Sequence, residues 1–239
     1  MYIREEDVAM TGIIIQARMG SSRLPGKVFM DFCGKNLLEH ILDRLQSLEK
    51  KMDIVIATTN LNIDDQIEMF CQIKGVSCFR GEPTNVLKRY YDCATYYQFD
   101  NIVRMTGDNP FPDIEELQRL IVYHEKNNMD FSENFSVLPI GVGMEIMTYQ
   151  ALQTSMENAY LPKHFEHVDE YILDYRQNFK CGTVEVNTVS NAPSIRLTVD
   201  TKEDYEKACY ILRNFNGKYV TTAEAIALSK ECDGMRKEV

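Results

Sequence analysis

The chain has 239 residues, 44 per cent of them apolar, and sets 26 Lys and Arg against 36 Asp and Glu for a formal net charge of −10. That length fits one or two domains and a core that needs no covalent staples. The charge argues against a non-specific nucleic-acid binder, which needs a basic surface, yet a few local cations can still hold an anionic ligand. The longest apolar run is far too short to span a bilayer, and MYIREEDVAM carries acids where a secretory signal needs basic and then apolar residues. A soluble cytoplasmic protein with no membrane insertion is therefore expected. The seven cysteines, Cys33, Cys71, Cys78, Cys93, Cys181, Cys209 and Cys232, are odd in number and form no C-x-x-C. They read as mostly buried, reduced thiols rather than a disulfide framework or zinc site.

Short apolar runs and amphipathic stretches alternate over the first 130 residues. Gly12–Ala17, GIIIQA, reads as a buried strand. Asn36–Lys50 places Leu37, Leu38, Ile41, Leu42, Leu45 and Leu48 at helical spacing. Asp53–Thr58 is a second strand, and Asp64–Lys74 a helix that stops at Gly75. A short strand, Val76–Phe79, and a helix, Asn85–Tyr97, follow. The strand Asn101–Thr106 then leads into Gly107-Asp108, and Asp113 caps a helix running to about Asn127. This alternation predicts right-handed βαβ units and a mostly parallel sheet. Such sheets bind ligands outside the carboxyl ends of their strands. Arg18 to Lys27, Thr59-Asn60, Arg80-Gly81 and Gly107 to Pro110 are thus expected along one edge. The second half is less regular. It reads as a possible strand over Met129–Glu133, a PIGVG turn and helices over Tyr149–Glu157 and Lys163–Arg176. Strands over Lys180–Asn187 and Ser194–Asp200 and two closing helices follow. One α/β domain, with an irregular lobe over roughly residues 129–190, is the simplest organisation.

The most informative stretch is ARMGSSRLPGK, Ala17–Lys27, directly after the first strand. Its three cations, Arg18, Arg23 and Lys27, suit charge-assisted bonds to phosphate oxygens. Gly20, Gly26, Ser21 and Ser22 let backbone and hydroxyl groups approach closely. Gly20 to Gly26 is one residue too long for a Walker A loop, Val28 replaces the metal-binding hydroxyl, and no G-x-G-x-x-G occurs. An ATPase P-loop and a dinucleotide site are both unsupported. Asp108, at the carboxyl end of a strand, has the chemistry of a Mg²⁺ ligand beside phosphates, with a helix-capping or turn role as the alternative. In SIRLTVD the alternation turns Arg196, Thr198 and Asp200 to one polar face, where Asp200 is also suited to cap the next helix. His164 and His167 share a helix at i, i+3 without a third ligand at fixed spacing, which is weak support for a metal.

These segments together resemble the sugar-activating cytidylyltransferases, a group that includes the CMP-Kdo synthetases and acylneuraminate cytidylyltransferases. They are most like its spore-coat polysaccharide biosynthesis branch, SpsF. The likeness rests on IIIQARMGSSRLPGK, IVIATTN, FRGEPTNVLKRYYDCA, IVRMTGDNPF and RLTVDTKEDYE, which span residues 13 to 206. It implies a Rossmann-like sheet of the nucleotide-diphospho-sugar transferase type and a CTP site. By resemblance, Arg18, Arg23 and Lys27 hold the triphosphate, and Asp108 and Asp200 hold Mg²⁺ or Mn²⁺. Ala17, Gly20, Ser21, Ser22, Thr58, Thr59, Arg80 and Arg89 fall in the family's nucleotide-side segments. Asn109 stands where the CMP-Kdo synthetases have Glu, and Thr59-Asn60 where they have two acids. On the sugar side, Glu145 and His167 fall in matching segments, and with Arg196 they are candidates to orient the acceptor. The implied activity is CMP transfer from CTP to an acidic or otherwise modified sugar, with release of pyrophosphate, by a homodimer joined through the irregular lobe. A nucleotide-sugar-dependent glycosyltransferase and a non-catalytic nucleotide-binding subunit remain alternatives on the same fold.

Overall fold

The computed structural model describes residues 9–235. Residues 1–8, most of the amino-terminal stretch compared with a secretory signal, lie outside the described residues. No helix among the described residues is long and apolar enough to cross a membrane.

The chain opens with β1 (Thr11–Gln16), then a phosphate-loop candidate, and a two-stranded ribbon, β2 (Asp31–Phe32) and β3 (Lys35–Asn36). Next come α1 (Leu37–Leu45), β4 (Asp53–Thr59), α2 (Asp65–Lys74), β5 (Ser77–Gly81), α3 (Val86–Tyr97), β6 (Asn101–Thr106) and α4 (Ile114–Lys126). The second half holds β7 (Phe131–Glu133), β8 (Glu145–Thr148), α5 (Tyr149–Asn158), α6 (Pro162–Glu166) and α7 (Glu170–Asp174). It ends with β9 (Cys181–Thr183), α8 (Lys202–Asn214) and α9 (Thr222–Met235). Seven strands make one sheet in the order β5-β4-β1-β6-β8-β7-β9. β5, β4, β1 and β6 are mutually parallel, and β8 runs antiparallel to both β6 and β7.

The continuous Ile13-Ile14-Ile15 run of β1 reflects burial on both faces. Ile13 and Ile15 pack with α1, α2 and α4, whereas Ile14 packs with α3, α5 and α7. A third apolar cluster joins Phe32, Leu197 and Val199 to α8 and α9. Polar residues fix the helix starts. Asn36 and Glu39 form a reciprocal capping box on α1, Asn85 and Asp113 cap α3 and α4, and Thr201 and Asp204 do the same for α8. α2 ends at Gly75 in the left-handed conformation, φ 64°. All seven cysteines are free: Cys71, Cys93, Cys209 and Cys232 are buried, Cys78 and Cys181 partly so, and Cys33 exposed.

Four expectations need correction. Ser194–Asp200 forms no strand. It makes a single bridge, Ile140 with Arg196, because its neighbour is the PIGVG turn, which cannot extend a ladder. The alternation survives without the ladder, with Leu197 and Val199 buried in the third cluster. Lys163–Arg176 is broken into α6 and α7, with His167 in extended backbone between them. Lys180–Asn187 is a strand only over Cys181–Thr183, and α1 stops at Leu45 rather than Lys50. β8 is a strand that the sequence pattern does not predict.

The PIGVG turn holds the 195–200 segment in place. Ile140 N–H donates to Ile195 O at 2.8 Å, and Ile140 O accepts from Leu197 and Thr198 N–H at 2.8 and 3.1 Å. Gly141 has φ +92°, and a Cβ there would lie 2.6 Å from Thr198 N. Gly141→Ala is therefore expected to cost about 1–3 kcal/mol, from left-handed strain and overpacking together. Urea unfolding measures this, and an unchanged midpoint would show that the segment is not held by the turn.

Candidate active site

A cavity of about 900 Å³ opens at the carboxyl ends of β1 and β6. One wall is the loop after β1. Gly26, φ 70°, turns the chain so that its N–H donates to Met19 O at 3.0 Å and Lys27 enters the interior. The loop is anchored from below, where Met19 N–H donates to Asp64 Oδ1 at 2.7 Å. Thr59 Oγ1 donates to the other carboxylate oxygen of Asp64. Ala17, Arg18, Ser21, Ser22, Arg23 and Lys27 all line the cavity. The expected sheet edge thus forms, but Gly20, Thr58, Thr59 and Arg80 stand outside its walls. Thr58 is fully buried, and Thr59 supports the loop through Asp64. Arg80 turns away to Asp65 and Glu68, at 2.6 and 2.8 Å, and to the carbonyls of Thr59 and Leu61.

Asp108 and Asp200 lie 92 positions apart in sequence and meet through Lys27. The Lys27 ammonium donates to Asp108 Oδ2 at 2.8 Å and Asp200 Oδ1 at 2.9 Å, and also to Val199 O at 2.9 Å. The two carboxylates are held together by the backbone as well, since Val199 N–H donates to Asp108 O at 2.8 Å. Arg23 adds an ion pair to Asp200 at 3.2 Å, and Arg196 bonds the second oxygen of Asp200. Burial acts to raise the Asp200 pKa, but Lys27, Arg196 and Arg23 outweigh it and hold the carboxyl below its ordinary range. Capping of α8 falls to Thr201, so the Asp200 side chain is left to the site. Arg89 also lines the cavity. It is almost wholly buried, gives Nη1 to Glu82 O at 2.8 Å, and keeps an unpartnered Nε. Burial first, and the nearby Arg18 charge next among the lowering influences, pull its pKa down.

The deeper end is built on β6 and β8. Arg104 and Glu145 are register partners and form an ion pair, with Asp169 3.7 Å from the same guanidinium. Burial, then the charges of Asp169 and Glu133, push the Glu145 carboxyl up to about 7 against the pull of Arg104. Asn109, His167 and Arg196 line the same cavity, as do Glu145 and Asp169. His164 does not join His167. It is buried and bonds Asp174 at 3.0 Å instead. Arg104, the cation inside the otherwise apolar strand NIVRMT, faces the cavity and both acids, and Asp169 belongs to the segment from Glu166 to Tyr171 that resembles the family's substrate side.

The donor set suits a hard divalent cation. Two carboxylates converge on one point, and a protein cation already stands between them. Among the described residues no group of three or more His, Cys, Asp or Glu gathers as a metal cage.

A profile of the cytidylyltransferases matches residues 12–226. The chain belongs to the cytidylyltransferase family. It is 37 per cent identical over 204 residues to the spore coat polysaccharide biosynthesis protein SpsF of Bacillus subtilis, covering 82 per cent of this chain and 85 per cent of that protein. A cytidylyltransferase structure from Leptospira borgpetersenii superposes with a TM-score of 0.88 at 33 per cent identity, over 95 per cent of this chain and 97 per cent of that one. The synthetase for CMP:2-keto-3-deoxy-manno-octonic acid, complexed with CTP, shares the fold at a TM-score of 0.67 and 16 per cent identity, over 86 and 99 per cent of the two chains.

The Glu145 environment is open to direct test. Its folded pKa lies above the ordinary Glu value of about 4.3. The folded state therefore binds this proton more tightly than the unfolded chain does. The stability it contributes is full below the ordinary value and falls as pH rises toward about 7. Carboxyl NMR on ¹³C-glutamate protein should show one midpoint near neutrality that Glu145→Gln removes. Asp169→Asn should move that midpoint down by removing a like charge. A highest midpoint in the ordinary Glu range would contradict the geometry.

Proposed function

We propose that this cytidylyltransferase transfers CMP from CTP to an acidic or otherwise modified sugar for polysaccharide biosynthesis, in a Mg²⁺-dependent reaction. The observation that carries this reading is the convergence of a cationic loop and a carboxylate pair, Lys27 with Asp108 and Asp200, at the mouth of a cavity of about 900 Å³. That cavity has room for a nucleotide and an acceptor together.

On this reading an acceptor hydroxyl oxygen forms a bond to the α-phosphorus of CTP and gives its proton to solvent water. The bond from the α-phosphorus to the α,β-bridging oxygen breaks, and pyrophosphate leaves with that electron pair. Arg18 and Arg23 hold the triphosphate and offset the charge that grows on the leaving group. The backbone of the loop after β1 approaches the phosphates, and the partly unpartnered Arg89 faces the same space. Asp108 and Asp200 would hold Mg²⁺, which when bound neutralises phosphate charge and aligns the groups. Arg104, Glu145 and Asp169 orient the acceptor at the deeper end. No enzyme nucleophile is required. On the same reading the chain works in the cytoplasm, as its sequence leads one to expect, and as a homodimer through the 129–190 lobe, as the family resemblance implies.

The test is pyrophosphate release with each of the four nucleoside triphosphates, Mg²⁺ and a panel of sugar acids and amino sugars. CTP alone should support turnover. Arg23→Ala should lower kcat/KM by roughly tenfold to a thousandfold, as does the loss of one charged transition-state contact. Asp108→Asn and Asp200→Asn should abolish metal-dependent turnover. Equal turnover with all four nucleotides would remove base selection. Consumption of a nucleotide sugar without pyrophosphate would replace the reading by glycosyl transfer.

A further inference from the structure

Lys27 is not placed as a free phosphate ligand. An ammonium has three donors and no acceptor. All three are engaged, by Asp108 at 2.8 Å and by Asp200 and Val199 O at 2.9 Å each. Its side chain is only 9 per cent exposed, whereas that of Arg23 on the same loop is 62 per cent exposed. Two of the bonded oxygens belong to the carboxylates that the proposed function gives to the cation, and the role assigned to Lys27 rests on that reading. A compact ammonium between two carboxylates that would otherwise repel offsets one of their two charges and keeps them converged.

The ammonium is also a competitor. It is tethered by its own backbone and cannot diffuse away. A divalent cation arriving alone would have to separate a partly buried ion pair and leave the buried Lys27 with no counter-charge, an expensive arrangement. A triphosphate supplies that counter-charge beside the same loop. We propose that Lys27 is a positioning residue which occupies the cation's place in the nucleotide-free protein, so that the divalent cation enters the Asp108–Asp200 pair only together with the triphosphate.

The experiment is titration of Mn²⁺ into the nucleotide-free protein, followed by electron paramagnetic resonance of free Mn²⁺. The wild-type chain should bind weakly. Lys27→Met should bind at least about tenfold more tightly. The double variant Lys27→Met, Asp200→Asn should lose that gain. Equal Mn²⁺ affinity in wild type and Lys27→Met overturns the proposal while leaving the carboxylate pair as the cation site. Tight binding that survives in the double variant overturns both, because the cation then sits elsewhere. A second measurement needs no variant. The ¹H–¹⁵N correlation of the Lys27 ammonium should be unmoved by Mg²⁺ alone and should shift when Mg²⁺ is added with a non-hydrolysable CTP analogue. An equal shift with Mg²⁺ alone overturns the proposal.

Discussion

The contact between Lys27 and the two aspartates is the constraint on which the rest of the site depends. Residues 27, 108 and 200 come from a loop after β1, a turn after β6 and the entry to α8. Three hydrogen bonds from one ammonium, with the Val199 N–H bond to Asp108 O, bring them to one place. Exposed ion pairs of this kind are worth little, because water screens them and long side chains lose entropy. Here the Lys27, Asp200 and Asp108 side chains are only 9, 18 and 26 per cent exposed, so screening is weaker and the pairing more consequential. The depressed Asp200 carboxyl reports the same balance, in which cations outweigh burial.

The scaffold explains why such a cluster survives in a chain of net charge −10. β1 is buried on both faces and hydrogen-bonded on both edges, so the loop after it starts from a fixed point. Asp64, in the turn after β4, anchors that loop by accepting from Met19 N–H and from Thr59 at the end of the strand. The acids in excess are largely elsewhere, on exposed helix faces and in caps such as Glu39 and Glu224. Local potential at the cavity mouth is therefore set by Arg18, Arg23, Lys27 and Arg196 rather than by the total charge.

Much of this was legible in the sequence, for identifiable reasons. The triple isoleucine, the helical leucine spacing and the capping residues follow from period and local hydrogen bonding, and they place the loop after β1 and the GDNP turn on one edge of a parallel sheet. What was not legible depends on contacts between distant segments. β8 is four residues long and too short for its alternation to register, yet it inserts between β6 and β7 and carries Glu145. Residues 194–200 alternate like a strand because one side is buried, but a turn, not a strand, lies beside them. Arg80 has the charge of a phosphate ligand and is taken by the start of α2. The engagement of Lys27 by two aspartates far along the chain has no local signature at all.

The same contacts give the cavity a polarity that bears on ligand orientation. At its mouth, guanidinium groups outnumber the acids they pair with, and Arg89 retains an unpartnered buried Nε. At its deeper end, Arg104 faces Glu145 and Asp169, with Glu166 also on the wall. On the proposed function, a molecule with a polyanionic end and a hydroxyl-rich end would be turned by that gradient so that its anionic end meets the loop and its donors meet the carboxylates. The reverse pose would set phosphate oxygens against Glu145 and Asp169 and leave the loop cations unmatched. On the proposed function, charge distribution would orient the ligand ahead of base and sugar contacts, and it is the antiparallel insertion of β8, bringing Glu145 beside Arg104, that builds the acidic half.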